Sequence, residues 1–168
     1  LEGLKSGILL NERKILKDVL TASNAIKLTT KGGAEGLTQA AIAAAKLGTD
    51  MKKVSEISKG LLNFEDSISA ELEAELLTGK DLNLEKARQY ALEGDIEGVA
   101  KEITKNIGSA AEFSQMNVIQ QEALAKAMGT SREELADMLV QQESLNKLKT
   151  TYNTLGAETI KNLETSGK

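Results

Sequence analysis

The sequence predicts an all-α protein, and three observations support that prediction. Its 168 residues contain no proline, whereas average usage of about 5% would give about eight. Ala, Leu, Glu and Lys, which favour helices, are abundant, and only four residues are aromatic. No segment alternates apolar and polar residues with the period of two that marks a strand. We therefore expect a small bundle of short helices between a long N-terminal and a long C-terminal helix.

Residues 1–30 are predicted to form the amphipathic N-terminal helix, because their apolar residues recur mostly every three or four positions. This stripe consists of Leu4, Ile8, Ile15, Val19, Ala22 and Ile26, and it is widened by Leu9, Leu16 and Leu20. Three glycines within residues 32–36 disfavour regular structure and are expected to form a flexible joint. A short Ala-rich helix should follow from about Leu37 to Leu47, with Gly48 as its stop.

Residues 36–130 are predicted to form the bundle of short helices. Thr49 or Asp50 can cap the helix that follows Gly48. The long helical segment 60–79 then carries an apolar stripe and ends at Gly79. The residues of that stripe are Leu61, Phe64, Ile68, Leu72 and Leu76. Acidic residues occupy much of the remaining surface, namely Glu65, Asp66, Glu71, Glu73 and Glu75.

Capping residues divide the rest of the bundle. Asn83 is expected to begin a helix that runs to Glu93, and Gly94-Asp95 both ends that helix and begins another. The new helix, from Ile96 to about residue 107, would complete an αα-hairpin. Three later pairs have the spacing of a capping box, in which each residue bonds the backbone of the other. These pairs are Ser109 with Glu112, Asn117 with Gln120, and Ser131 with Glu134.

Residues 131–168 are predicted to form the long C-terminal helix, which is a candidate coiled coil. Its apolar residues follow steps of three and four, the a/d pattern of a helix–helix seam. The candidate seam consists of Met138, Leu145, Leu148, Tyr152 and Leu155, and Gln141 interrupts it. One or two heptads are fewer than the roughly three or four that mark a coiled coil. The seam would therefore join copies of the chain or pack onto residues 4–27 of the same chain.

The amino-acid composition excludes several kinds of functional site. The chain has no cysteine and no histidine, so disulfides, Fe–S clusters, thiolate chemistry and His-based catalysis are excluded, and zinc loses its commonest ligands. No signal peptide is evident, and no apolar run approaches the ~18 residues of a membrane span, so we expect no membrane segment here. The chain begins at Leu1 and ends in Ser-Gly-Lys, and we expect it to be a piece of a longer protein.

The net charge of −4 is unevenly distributed. Residues 1–60 carry ten basic and six acidic residues, which gives +4. Residues 61–100 carry three and ten, which gives −7, and residues 101–168 carry eight and nine, which gives −1. Solvated helix faces of opposite bias are the simpler interpretation. The basic first third and the acidic centre can also attract each other, within a chain or between copies.

The acidic segment and the glycine-containing segments do not fit a catalytic or phosphate-binding site. Glu71 and Glu75 share a helix face, but a di-iron site of this type needs a Glu-x-x-His motif, and glycosidase carboxylates face each other across a cleft. A solvated acidic face is the preferred interpretation. Gly79-Lys80 is followed by Asp81, which does not fit a phosphate-binding loop. We predict no catalytic residue, no cofactor or metal site, no small-molecule substrate, and therefore no enzyme.

The stretch IQQEALAKAMGTSREELADML, residues 119–139, has the pattern of a helix-turn-helix. The apolar and small positions that fit this motif are Leu124, Ala125, Met128, Gly129, Leu135 and Met138, whereas Thr130 departs from it. Residues 117–146 carry two basic and five acidic residues, a net charge of −3. Binding DNA requires neutralising phosphates, which an acidic helix does not do. We therefore predict a helical corner without specific nucleic-acid binding, and keep a regulatory or adaptor module as the alternative.

The run LLNFEDSISAELEAELLTGKDLNLEKARQYALEGDIEGVAKEI, residues 61–103, resembles an internal segment of the tail tape measure proteins of tailed bacteriophages. The likeness continues through NVIQQEALAKAMGTSREELADML, residues 117–139, and covers about residues 36–145. The resemblance implies a structural role for a long, mostly helical protein that sets tail length and leaves during DNA ejection. It implies other copies, tail tube proteins and baseplate proteins as partners, and the tail tube lumen of the virion, assembled in the host cytoplasm, as location. Some members carry lytic transglycosylase or peptidase domains, but no residue here matches one.

Overall fold

The computed structural model describes residues 12–147, and all regular secondary structure in that range is helical. The all-α prediction is thus confirmed for this part of the chain. In chain order the helices are α1 (Glu12–Thr21), α2 (Asn24–Thr29), α3 (Gly33–Leu47), α4 (Met51–Leu61), α5 (Phe64–Thr78), α6 (Glu85–Leu92), α7 (Ile96–Ile107), α8 (Ala110–Ser114) and α9 (Val118–Ala127). The last helix, α10, is described over residues 132–147.

One contiguous apolar core joins these helices. Helix α3 packs on α7, α6 forms the predicted hairpin with α7, α5 lies on α9, and α1 lies on α3. The largest fully buried side chains are Leu47, Met51, Val54, Ile57, Leu61, Leu84, Ile103, Ile107, Leu124, Met128, Leu135 and Leu139. Alanines fill the contacts between helices, and Ala40, Ala44, Ala74, Ala87 and Ala100 are wholly buried. Such small side chains allow helix backbones to approach closely.

Most predicted helix ends are confirmed, because their capping residues make the expected hydrogen bonds. The carboxylates of Asp50 and Asp95 accept from backbone amides three residues later, at 2.9 Å in each case. Ser109 with Glu112 and Asn117 with Gln120 form reciprocal capping boxes. Ser131 and Glu134 also exchange side chain to backbone bonds, at 3.2 and 3.3 Å. These bonds satisfy amides that lack partners at helix starts.

From residue 12 onwards, where the structure describes it, the predicted N-terminal helix is wrong in one respect, because it is divided in two. Helix α1 ends at Thr21 and α2 begins at Asn24. The hydroxyl of Ser23 accepts from the amide of Ile26 at 3.1 Å and so caps a new helix where continuity was expected. The glycine-rich segment is also not a flexible joint, because α3 starts within it at Gly33.

The segment 60–79 likewise differs from its prediction. Helix α4 ends at Leu61, which is buried, and α5 begins at Phe64, so the expected long stripe belongs to two helices. Gly79 ends α5 as predicted. The predicted cap of α6, Asn83, lies one position before the observed cap residue, Leu84. The side chain of Asn83 nevertheless accepts from the amide of Glu85 at 3.2 Å.

Candidate interaction surfaces

Helix α5 exposes a row of large apolar side chains to solvent. Their spacing of four places them along one helix face, and they are between 43% and 85% exposed. We call this row the α5 ridge, and it consists of Phe64, Ile68, Leu72 and Leu76. The opposite face, which carries the small residues Ser67, Ala70 and Ala74, is buried, and α5 packs on α9. Of the predicted stripe, only Leu61, at the end of α4, lies in the core, and the four residues on α5 lie outside it.

Acidic residues on α5 fall into two groups that the sequence did not separate. Glu65, Asp66 and Glu73 are exposed. In contrast, Glu71 pairs with Arg88 and accepts from the amide of Leu84 at 3.2 Å, and Glu75 accepts from the amide of Leu82 at 3.1 Å. Interpreting Glu71 and Glu75 as a solvated face was thus wrong, because both hold the connection between α5 and α6. Within residues 12–147 no cluster of acidic residues has the arrangement of a metal site.

The predicted helical corner is formed by α9, a turn at 128–131 and α10. Leu124, Met128 and Leu135 are fully buried where the two helices meet. The turn lies against α4, since a Cβ atom added at Gly129 would come within 3.1 Å of the carbonyl oxygen of Ile57. The motif therefore serves the packing of this chain.

The start of α10 presents little positive charge. Arg132 donates to the side chain of Gln121 at 3.1 Å and lies 3.5 Å from the carboxylate of Glu133. Glu134 forms an ion pair with Lys53 on α4. The exposed positions of this first part of the helix include Glu133 and Asp137, which are acidic. A surface of this kind repels phosphate groups.

A groove of about 600 Å³ runs between α8 and α10. Phe113, Leu139 and Val140 contribute apolar lining, and Arg132 also lines the groove. The Nε atom of Arg132 is buried and has no hydrogen-bond partner among residues 12–147. The Arg132 side chain as a whole is about one-third exposed.

The candidate seam is only partly within the described residues. Met138 lies in the core of its own chain, and its carbonyl oxygen faces Gly48 so closely that no side chain fits there. Leu145 is half-buried. Leu148, Tyr152 and Leu155 lie outside the described residues, so a seam between copies stays a prediction.

No protein-family model matches this chain, and the searches of curated proteins and of solved structures found no match either. Among the described helices, none combines the length and the apolar character needed to cross a bilayer.

Proposed function

We propose that this chain is a helical segment of a tail tape measure protein of a tailed bacteriophage. The observation that carries the proposal is the sequence resemblance over residues 36–145. The segment would lie in the tail tube lumen and contribute to the protein length that determines the length of the tail. It would leave the tube during DNA ejection. Its partners would be other copies of itself, tail tube proteins and baseplate proteins.

Several features favour a structural role over a catalytic one. Glu71 and Glu75 are the candidate carboxylate pair of the sequence analysis. Instead of facing a cleft, they accept hydrogen bonds from the connection between α5 and α6. The polar residues at the helix starts are occupied by capping bonds. The α5 ridge offers apolar surface to other helices, which is expected of a protein that packs in several copies.

A deletion in the parent gene tests this role. Removing the codons for residues 36–145 should give viable particles with shorter tails, measured by electron microscopy. The 110 residues (145 − 36 + 1) rise about 1.5 Å each in a helix, so shortening is limited to about 165 Å. A tandem duplication of the same codons is the matched control and should lengthen the tail. Particles with unchanged tails in both cases, or a free-standing reading frame among regulatory genes, would contradict the proposal.

The alternative is a regulatory or adaptor module built on the corner of α9 and α10. The observation that favours it is the helix-turn-helix arrangement itself, and the acidic surface of α10 opposes it. This alternative requires duplex DNA binding that weakens with salt and is lost when Lys126 and Arg132 are replaced by Gln. Fluorescence anisotropy with mixed-sequence duplexes at low salt tests it, and no binding under those conditions removes it.

A further inference from the structure

Helix α1 carries a second exposed apolar row. Leu16 and Leu20 lie four residues apart on one face and are 59% and 67% exposed. We call this pair the α1 ridge. The other side of the helix packs inward through Ile15 and Val19, and Asp18 accepts from the amide of Met51 at 2.9 Å. Because α1 is anchored by that face, the ridge is held outward.

The charges beside the two ridges have opposite sign. Arg13, Lys14 and Lys17 are exposed on α1, and no ion pair to them is present within residues 12–147. The exposed acids of α5 (Glu65, Asp66 and Glu73) likewise have no ion-pair partner in that range. The ten residues of α1 span about 15 Å, whereas the α5 ridge spans about 18 Å from Phe64 to Leu76, so α1 can lie along most of that ridge.

The two ridges do not cover each other within one chain. Helix α1 lies on α3, whereas α5 lies on α9, and both ridges are exposed in the same molecule. We propose that the α1 ridge of one copy docks on the α5 ridge of a second copy, with Arg13 and Lys17 facing Glu65 and Glu73. Two isolated copies suffice for this contact, so it does not depend on the role proposed above.

Such a contact joins two different surfaces, so each copy added leaves one ridge free for the next. Assemblies of this kind form rings or open rows. Two short helices bury less than the ~1,200 Å² of a stable protein interface, so association should be weak between pairs and should increase with concentration. Opposite charges should also make it decrease with added salt.

Because the chain has no cysteine, single introduced cysteines can report the contact. A Thr21→Cys chain and a tagged Ser69→Cys chain place one thiol beside each ridge without changing either. Mixed at ~1 mM, where weak contacts form, and treated with a short bismaleimide, they should give mainly the mixed dimer. A Ser114→Cys chain, with its exposed thiol on α8, is the matched control and should give little product with either chain.

Charge exchange makes the test specific. Glu65→Lys with Glu73→Lys in the Ser69→Cys chain should reduce the mixed product at least fivefold while circular dichroism stays unchanged. Arg13→Glu with Lys17→Glu in the Thr21→Cys chain should restore it. Failure of that rescue, or equal product with the Ser114→Cys control, would overturn the proposal. A second result would also overturn it. If a chain with both Thr21→Cys and Ser69→Cys forms an intramolecular crosslink at high dilution, the two ridges meet within one chain.

Discussion

Arg88 on α6 lies 2.9 Å from the carboxylate of Glu71 on α5, and the two side chains are only 12% and 13% exposed. Arg88 also donates to the hydroxyl of Ser67 at 3.1 Å, and Glu71 accepts from the amide of Leu84. The ion pair and the hydrogen bond from the Leu84 amide therefore both hold the connection between α5 and α6. Removing one partner leaves the other charge largely buried and unpaired.

Replacing Glu71 by Ala should cost about 2–4 kcal/mol of the free energy of unfolding, somewhat less than for a wholly buried pair. Glu71→Gln should cost less, because its amide oxygen still accepts from Arg88 and Leu84. The exposed Glu73→Gln is the control, with a change within about 0.5 kcal/mol. Urea denaturation followed by circular dichroism measures all three. A Glu71→Ala change as small as that of Glu73→Gln would mean that the pair contributes little.

Gly48 ends α3 with a φ of +97°, and an added Cβ atom would overlap the carbonyl oxygen of Met138 on α10. Gly48→Ala should therefore cost about 3 kcal/mol or more, because it combines left-handed backbone strain with displacement of α10. Gly79 offers a matched control, since its φ is +73° and nothing lies within 4 Å of its Cβ position. Gly79→Ala should cost only about 1 kcal/mol. Equal loss of stability in the two variants would show that contact with α10 adds nothing.

Partial burial raises the pKa of Asp18 above 3.8, against the hydrogen bond from Met51, which lowers it. The folded protein thus binds this proton more readily than the unfolded chain, so ionised Asp18 reduces stability above its folded pKa. Asp18→Asn keeps an acceptor for Met51 and should be at least as stable as the parent at pH 7. That advantage should shrink as pH falls through the folded pKa towards 3.8, in paired urea titrations. Asp18→Ala, which lacks the acceptor, should be less stable than Asp18→Asn at every pH.

Glu112 should show the opposite dependence on pH. The hydrogen bond and charge of Lys80, together with the amide of Ser109, lower its pKa below 4.5. Its stabilising effect is therefore present above pH 4.5 and is lost as pH falls through the folded pKa. Compared with Glu112→Gln, the parent should be more stable at pH 7 by at most about 0.5 kcal/mol, because the Glu112 side chain is about half exposed. The difference should vanish in strong acid, and its persistence there would assign it to packing.

Helix ends were predictable from the sequence because capping is local. The side chains of Asp50, Asp95 and Ser109 each accept from an amide only three residues later. Residue type and spacing are therefore enough to predict the hydrogen bond. Ser23 shows the limit of that signal. It caps α2, but the residue three positions later is Ile26, which cannot complete a capping box. The apolar stripe of the sequence also continues past Ser23, so periodicity did not indicate a break.

The orientation of α5 was not predictable in the same way. Its apolar stripe was identified, but the contact with α9 uses the opposite, small-residue face, including Ala70 and Ala74. Helix α9 starts about forty residues later, at Val118, and periodicity within α5 contains no information about it. The burial of Glu71 has the same cause, since its partner Arg88 is on another helix. The candidate seam beyond Met138 remains a prediction from spacing alone.

The contact between Gly48 and Met138 also has a mechanical consequence. These residues are 90 positions apart (138 − 48), and closing a loop of that length costs roughly 4 kcal/mol of chain entropy. Helix α10 is the last described element, and it rests on the turn between α3 and α4. Tension applied to the two ends of the chain would therefore load this contact through α10, whose Leu135, Met138 and Leu139 are buried. Once this loop is open, the turn between α3 and α4 is held to the last part of the chain only by the remaining contacts of α4, such as that between Ile57 and Gly129.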